Sequence, residues 1–214
     1  MALLNHLKRA WNRAQDALAE VTTELRAQQH FDRARAIVRN EGLTEATVDE
    51  IVAELQAALR VEGTSFEACA RRMLGDAYRL LARNEDAARE YQRILDLLSD
   101  AETRRDNERT IRELLEVSPA IFRAEVHTEL AQWYYDCQDY QTAIVQAQEA
   151  TRLDTAALRA YYLWGVSLLA LGVPKEQVFE VFMRARLRDQ AGIVEGWVEE
   201  LLPEYLAWLP GREA

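Results

Sequence analysis

Apolar and small side chains recur every three or four positions along most of this chain, the period of a helix with one buried face. In residues 68–101 the first such face is Leu74, Gly75, Tyr78 and Leu81. A polar break at Asn84 and Glu85 follows, then a second face of Ala87, Ala88, Tyr91, Ile94 and Leu95. Residues 124–157 repeat the arrangement with Leu130, Ala131, Tyr134 and Cys137, a turn at Asp139, and then Tyr140, Ala143, Ala147 and Ala150. A third unit opens at Leu158 with Tyr161, Trp164, Gly165, Leu168 and Leu171, and turns at Gly172, Val173 and Pro174. Each unit is expected to be two helices folded back on one another.

Ala131 and Gly165 stand 34 residues apart, which is the period of the tetratricopeptide repeat (TPR). The three units resemble that family. It places small residues where two antiparallel helices approach closely, because only tiny side chains fit there. Gly75, Ala131 and Gly165 hold the first small position, and Ala87 and Ala143 the second. The third unit matches in its second helix only if the turn gains one residue, which brings Val178, Phe182 and Ala185 into place. The family's terminal Pro is Ser99 in the first unit and Thr155 in the second. The resemblance implies an all-α fold, a TPR-like helical-repeat solenoid of antiparallel helix pairs.

Three segments follow from this reading: N-terminal helices over 1–67, repeats over 68–191, and a C-terminal capping helix over 192–214. The first two repeats are separated by more than the TPR period, so an inserted helix is expected near 102–123, either a separate one or an extension of the helix before it, which periodicity does not decide. Ser99 with Glu102 has capping-box spacing, Ile111, Leu114 and Leu115 form a stripe, and Pro119 marks the end. In the N-terminal segment Leu4, Leu7, Trp11, Ala14, Leu18, Val21 and Leu25 follow the 3-4 spacing of a coiled-coil seam, but with little complementary charge at the flanks and the weak seam residue Ala14 the expectation is a long first helix packed on its own solenoid. Phe31, Ala34 and Val38 then mimic a TPR second helix, so residues 15–48 could be a degenerate unit. Gly42 ends that helix, and Thr47 with Glu50 has capping-box spacing ahead of Ile51, Val52, Leu55 and Leu59. At the far end Trp197, Leu201, Tyr205 and Trp208 line one side of an amphipathic stretch that Pro203 interrupts.

Composition narrows the function. The formal net charge is -10, which opposes generic binding to the dense negative charge of nucleic acid. The charge is uneven, with seven Lys/Arg against four Asp/Glu in residues 1–39. Two distant cysteines, Cys69 and Cys137, supply no zinc site, and His6, His30 and His127 have no triad-like or metal-like spacing. No phosphate loop is present. The chain is therefore expected not to be an enzyme and to need no cofactor and no metal. No stretch has the length of a membrane span. The basic start of the chain does not look like a signal peptide, so a cytoplasmic location is expected.

The resemblance implies that a partner lies in the groove formed by the first helix of each repeat. In this register the groove positions are Cys69, Arg72, Met73, Asp76 and Arg79, then Glu125, Thr128, Glu129, Gln132, Tyr135 and Asp136, then Arg159, Tyr162, Leu163, Val166 and Leu169. The family's clamp for chaperone tails uses Asn where this chain has Asp76, Gln132 and Val166, so chaperone-tail binding is not expected. The expectation is a protein-binding module (an adaptor, assembly factor or chaperone) taking a peptide or helix of mixed basic and apolar character. Two alternatives stand beside it. One is a structural subunit forming homo-oligomers through the seam Leu4, Leu7, Trp11, Leu18, Val21 and Leu25. The other is a small hydrolase, which the missing nucleophile disfavours. The strip Tyr162, Leu163, Val166 and Leu169 would be exposed unless the last helix covers it.

Overall fold

A computed structural model describes the backbone of residues 2–209 and the side chains of residues 11–13 and 15–209. Among the described residues there are helices and no strands. They are α1 (Ala2–Glu41), α2 (Val48–Ala58), α3 (Glu67–Leu80), α4 (Asn84–Ser99), α5 (Ala101–Leu115), α6 (Pro119–Asp136), α7 (Tyr140–Leu153), α8 (Leu158–Ala170), α9 (Lys175–Arg186), α10 (Ile193–Leu201) and a closing 3-10 helix (Pro203–Trp208). The chain divides into two compact units, Met1–Glu113 and Leu114–Ala214. The fold is all-α and made of TPR-like helix pairs.

In the first unit α1 packs on α2, α2 on α3, and α3 on α4. Ala27, Phe31 and Ala34 on α1 are buried, as are Val48, Ile51 and Leu55 on α2. Phe31 stacks on Phe66 with ring centroids 4.8 Å apart. Gly75 is a contact point between α3 and α4. A Cβ there would lie 2.6 Å from Cε1 of Tyr91, so only glycine fits. In the second unit α6 packs on α7, α7 on α8, α8 on α9, and α9 on α10. Gly165 repeats the role of Gly75, since its Cβ would lie 2.2 Å from Cε1 of Phe182.

The three repeats end their first helices alike. Arg83 N donates to Tyr78 O, Asp139 N to Tyr134 O, and Val173 N to Leu168 O. The residue before each donor is left-handed: Ala82 (φ 56°), Gln138 (φ 62°) and Gly172 (φ 72°). This is the Schellman ending. Glycine occupies the left-handed position in only one of the three repeats, so the sequence alone shows the shared ending poorly.

The inserted segment is a separate helix, α5, and not an extension of α4. Its start differs from the expected capping box. Ser99 still belongs to α4, and its hydroxyl donates to Asp96 O. Asp100 has the extended backbone a cap needs (ψ 132°), and its carboxylate accepts from Glu102 N at 2.9 Å. Thr47 likewise precedes α2 without capping it. Its backbone is near-helical, and its hydroxyl donates to Gly42 O at 2.8 Å. Ser118 caps α6 by accepting from Ile121 N. Pro119 therefore opens α6 rather than closing α5, in the first-turn position that suits proline.

α5 is tied into the first unit by Asn107, which is 1% exposed. Its carbonyl accepts from Ala68 N at 2.8 Å, and its amide donates to Thr103 O and Thr64 O. Ala68 N is one of the N–H groups at the start of α3 that no helical partner satisfies. Asn107→Leu would leave that donor buried and unpaired, and is expected to cost about 1–3 kcal/mol in urea unfolding. The exposed neighbour substitution Asp106→Ala is expected to stay within ~0.5 kcal/mol. Equal midpoints for the two variants would contradict the role given to Asn107.

Candidate interaction surfaces

The expected groove residues of the first unit bind one another. Arg72 Nε lies 3.2 Å from both oxygens of Asp76. Tyr91 donates its hydroxyl to Asp76 Oδ1 at 2.7 Å, and Arg72 sits over the Tyr91 ring. Arg72 and Asp76 therefore brace α3 against α4 while remaining half-buried. Arg79 is exposed on the same helix. Cys69 is not a groove residue: it is 3% exposed, and burial pushes its thiol up to about 12.

The second unit brings more of the expected residues together. Arg159 on α8 reaches back to α6, with Nη1 2.7 Å from Glu129 Oε1 and Nη2 3.5 Å from Gln132 Oε1. Gln132 in turn donates to Asp136 Oδ1 at 2.9 Å. Tyr135 lies half-buried beside Ala131, Ala147 and Leu163, its ring 5.5 Å from Tyr140. Tyr162 lies half-buried with its ring 5.3 Å from Trp197 of α10. Burial raises the Tyr162 phenol above its ordinary value, and Glu200 and Tyr135 add to the shift. Tyr140, Tyr135, Tyr162 and Trp197 thus form two aromatic pairs, contributed by α7 and α6 and by α8 and α10. They are edged by Asp136 and Glu200.

The apolar end of the expected groove is not an open strip. Leu163 is 1% exposed and Val166 7%. Leu169 packs into the core formed with α9 and α10. The capping segment supplies Val194, Val198 and Leu202 to that core, with Trp197 alongside. Val166 is buried instead of offered to a ligand. Thr128 is buried as well, its hydroxyl turned to Ala124 O. Tyr140 and Trp197 are surface members that sequence periodicity placed on packing faces. Their second role becomes visible only when neighbouring helices are in position. The capping stretch also breaks at Leu202, and Trp208 stands exposed beyond it.

On α1, Trp11, Leu18, Val21 and Leu25 are 65%, 72%, 54% and 58% exposed, so this face of the first helix is not packed on the chain's own solenoid as expected. Leu4, Leu7 and Ala14 lie outside the described side chains. The histidines described make local contacts. His30 Nδ1 is 2.6 Å from Glu54 Oε2. His127 Nδ1 is 2.7 Å from Gln146 Oε1, and burial holds the ring below its ordinary pKa. Among the described residues, no three His, Cys, Asp or Glu side chains are grouped to hold a metal. No helix there is long and apolar enough to cross a membrane.

No protein-family model matches the chain, and no curated protein matches it. Solved structures do resemble it. One, titled "Crystal structure of MamA", aligns with a TM-score of 0.57 and 15% identity over 82% of this chain and 85% of its own. A second, "Crystal structure of MamA protein", gives 0.55 and 14% over 89% and 84%. The fold is a TPR-like helical repeat. At such low identity the likeness to MamA concerns fold alone.

Proposed function

We propose that this chain is a non-enzymatic protein–protein interaction module that receives a helix or extended segment of another protein on the α6–α8 face of its second unit. The observation that carries this reading is the pair of half-buried tyrosines, Tyr135 and Tyr162, backed by Tyr140 and Trp197 and edged by Asp136 and Glu200. Rigid aromatic side chains with a polar tip are what interface anchors use, because they cover much area at little entropic cost. The acidic rim favours a segment with basic residues beside its apolar ones. Arg159 is already engaged by Glu129 and Gln132, which fixes the floor between the two helices and offers the ligand a neutralised edge. Such a module would serve as an adaptor or assembly factor.

The test uses immobilised full-length protein and a Tyr135→Ala/Tyr162→Ala variant whose helical circular dichroism and melting curve match the parent. A protein from the native lysate held by the parent and released by the variant is expected. Replacing Asp136 with Arg should weaken the same capture further if the bound segment is basic. Equal retention by parent and variant would remove the α6–α8 face from consideration.

A further inference from the structure

The first unit fills one kind of site three times with its own side chains. Arg83 lies 4.3 Å from the centre of the Tyr78 ring and 2.7 Å from Asp86. Arg72 lies 5.9 Å from the centre of the Tyr91 ring and 3.2 Å from Asp76. Arg35 lies 5.6 Å from the centre of the Phe31 ring and 3.6 Å from Asp32. Each time the negative face of a ring and a carboxylate share one guanidinium. The α6–α8–α10 face of the second unit has the rings and the carboxylates without the cation. Tyr135 and Tyr162 are half-buried there, and Asp136 and Glu200 are exposed. Among the described residues no Lys or Arg lies over Tyr135 or Tyr162, and none is paired with Asp136 or Glu200.

Register brings these groups together. α6 and α8 run in the same direction, because α7 reverses the chain between them. Arg159 on α8 is level with Glu129 and Gln132 on α6. One turn further along both helices stand Tyr162 on α8 and Tyr135 and Asp136 on α6. The Trp197 ring, 5.3 Å from Tyr162, brings α10 to the other side. Glu200 follows Trp197 by three residues, about 4.5 Å along nearly the same side of that helix. Burial first, and then Glu200 and Tyr135, raise the Tyr162 phenol above its ordinary value, so both neighbours lie close to it. The nearby charges are otherwise settled within the chain. Arg159 is turned back to Glu129, Glu195 pairs with Arg186, and Glu204 pairs with Lys175. Asp136 accepts only a neutral amide, from Gln132, so it keeps its charge.

We propose that this corner takes an arginine side chain of the bound segment, its guanidinium over the Tyr162 ring and paired with Glu200, with Tyr135 and Asp136 as the second wall. This names the anchor of the face assigned above, and it rests on that reading. Arginine fits where lysine does not. A planar, weakly hydrated guanidinium can stack on a ring while its edge donates to a carboxylate, and an ammonium is a compact, strongly hydrated point charge that does not stack. An apolar side chain would leave the two carboxylates without a counter-charge.

The experiment is a titration of the full chain with N-acetyl-arginine amide at constant ionic strength, followed by NMR of the tyrosine rings and the Trp197 indole N–H. N-acetyl-lysine amide and the neutral isostere N-acetyl-citrulline amide are the comparison probes. Saturable shifts at Tyr135, Tyr162 and Trp197 are expected with the arginine probe. The lysine probe should bind about threefold to fivefold more weakly, and the citrulline probe should not saturate. Glu200→Gln should weaken the arginine probe about threefold to tenfold. Glu199→Gln, whose side chain lies about 200° from Trp197 around α10, should leave it unchanged. Both glutamates are exposed, so the melting curves of these variants should match the parent. Equal shifts with the citrulline probe, or none that saturate in the millimolar range, overturn the proposal. Lysine bound as tightly as arginine overturns the choice of guanidinium. A protein captured through Tyr135 and Tyr162 whose Kd is unchanged by Glu200→Gln overturns the arginine anchor and leaves the α6–α8 face standing. Saturable arginine binding that depends on Glu200 supports the anchor even where the lysate yields no partner, so the two readings fail separately.

Discussion

Gly165→Ala is expected to destabilise the second unit even though alanine is the better helix former. The exchange by itself favours the helix by ~1 kcal/mol. The added Cβ, however, would sit 2.2 Å from Cε1 and 2.6 Å from Cζ of Phe182. Phe182 is fully buried, with the Trp197 ring 5.5 Å away, so the ring has little room to retreat. Overpacking of a core of this kind costs about 1–3 kcal/mol, which outweighs the propensity gain. Gly165→Trp, with no space for its indole, should fail to fold the unit. Gly196→Ala is the internal control. Gly196 also lies inside a helix, α10, but nothing comes within 4 Å of its Cβ position. That variant should gain up to ~1 kcal/mol. Chemical denaturation of the three variants beside the parent decides the matter. A stabilised Gly165→Ala protein would show that α8 and α9 are not held at the close approach described. A Phe182→Leu second substitution should recover part of the loss, and the coupling between the two sites measures the contact itself.

The close approach was legible from sequence because it is a local volume constraint that recurs within each helix pair, a small residue in the first helix against the second. Gly75 and Gly165 each face one aromatic residue of the following helix, Tyr91 and Phe182, and the TPR-like pattern of small and aromatic positions within each unit finds both, although the insertion breaks the period between the first two units. The helix ends were less legible. Ser99 and Glu102 have capping-box spacing, but capping needs an extended backbone, and that belongs to Asp100 because α4 continues through Ser99. The same confusion of spacing with conformation applies to Thr47.

The candidate surfaces divide along similar lines. Tyr135 and Tyr162 are identified by register alone, since each sits one position after a core residue of its helix. Val166 satisfies the same rule and is nevertheless buried. The exposure of a groove position depends on what the next helix brings, and no periodicity within α8 carries that information. Arg72 and Asp76 hold the expected positions, but their charges are spent on each other and on Tyr91. Asn107 was hidden altogether. Within a run of Arg, Asp and Glu it looks like one more solvated residue, and its role depends on a partner, Ala68, in another helix.

Arg71 is hidden in the same way, and replacing it should have the largest electrostatic effect in the first unit. Glu67, Arg71 and Glu90 are 4%, 7% and 8% exposed. Arg71 Nε and Nη2 donate to Glu67 Oε1 at 2.9 and 2.7 Å, and Nη1 donates to Glu90 Oε2 at 2.7 Å. Burial alone would lower the guanidinium's pKa, but the bonds to the two carboxylates outweigh it and hold Arg71 above its ordinary value. Arg71→Met keeps the aliphatic stem and removes the charge that two buried carboxylates share. Breaking a buried pair by removing one partner costs about 3–5 kcal/mol, because the remaining charge is left uncompensated. Glu90 retains Arg93 at 3.3 Å, and Glu67 retains the donation from Gly63 N at 2.7 Å. The loss should therefore fall toward the lower end of that range. Adding Glu67→Gln and Glu90→Leu to Arg71→Met removes both orphaned charges and keeps an acceptor for Gly63 N. Most of the stability should return, since apolar replacement of a whole buried ionic cluster is often neutral or favourable. Urea unfolding of the single and triple variants separates two explanations. A triple variant no better than Arg71→Met would mean that packing around the Arg71 stem, and not the buried charges, sets the cost. Recovery in the triple variant would mean that the cluster contributes little net stability and that its effect on α3 and α4 is to fix their register. In that case Gly75 is held opposite Tyr91 by an ionic contact one helical turn away.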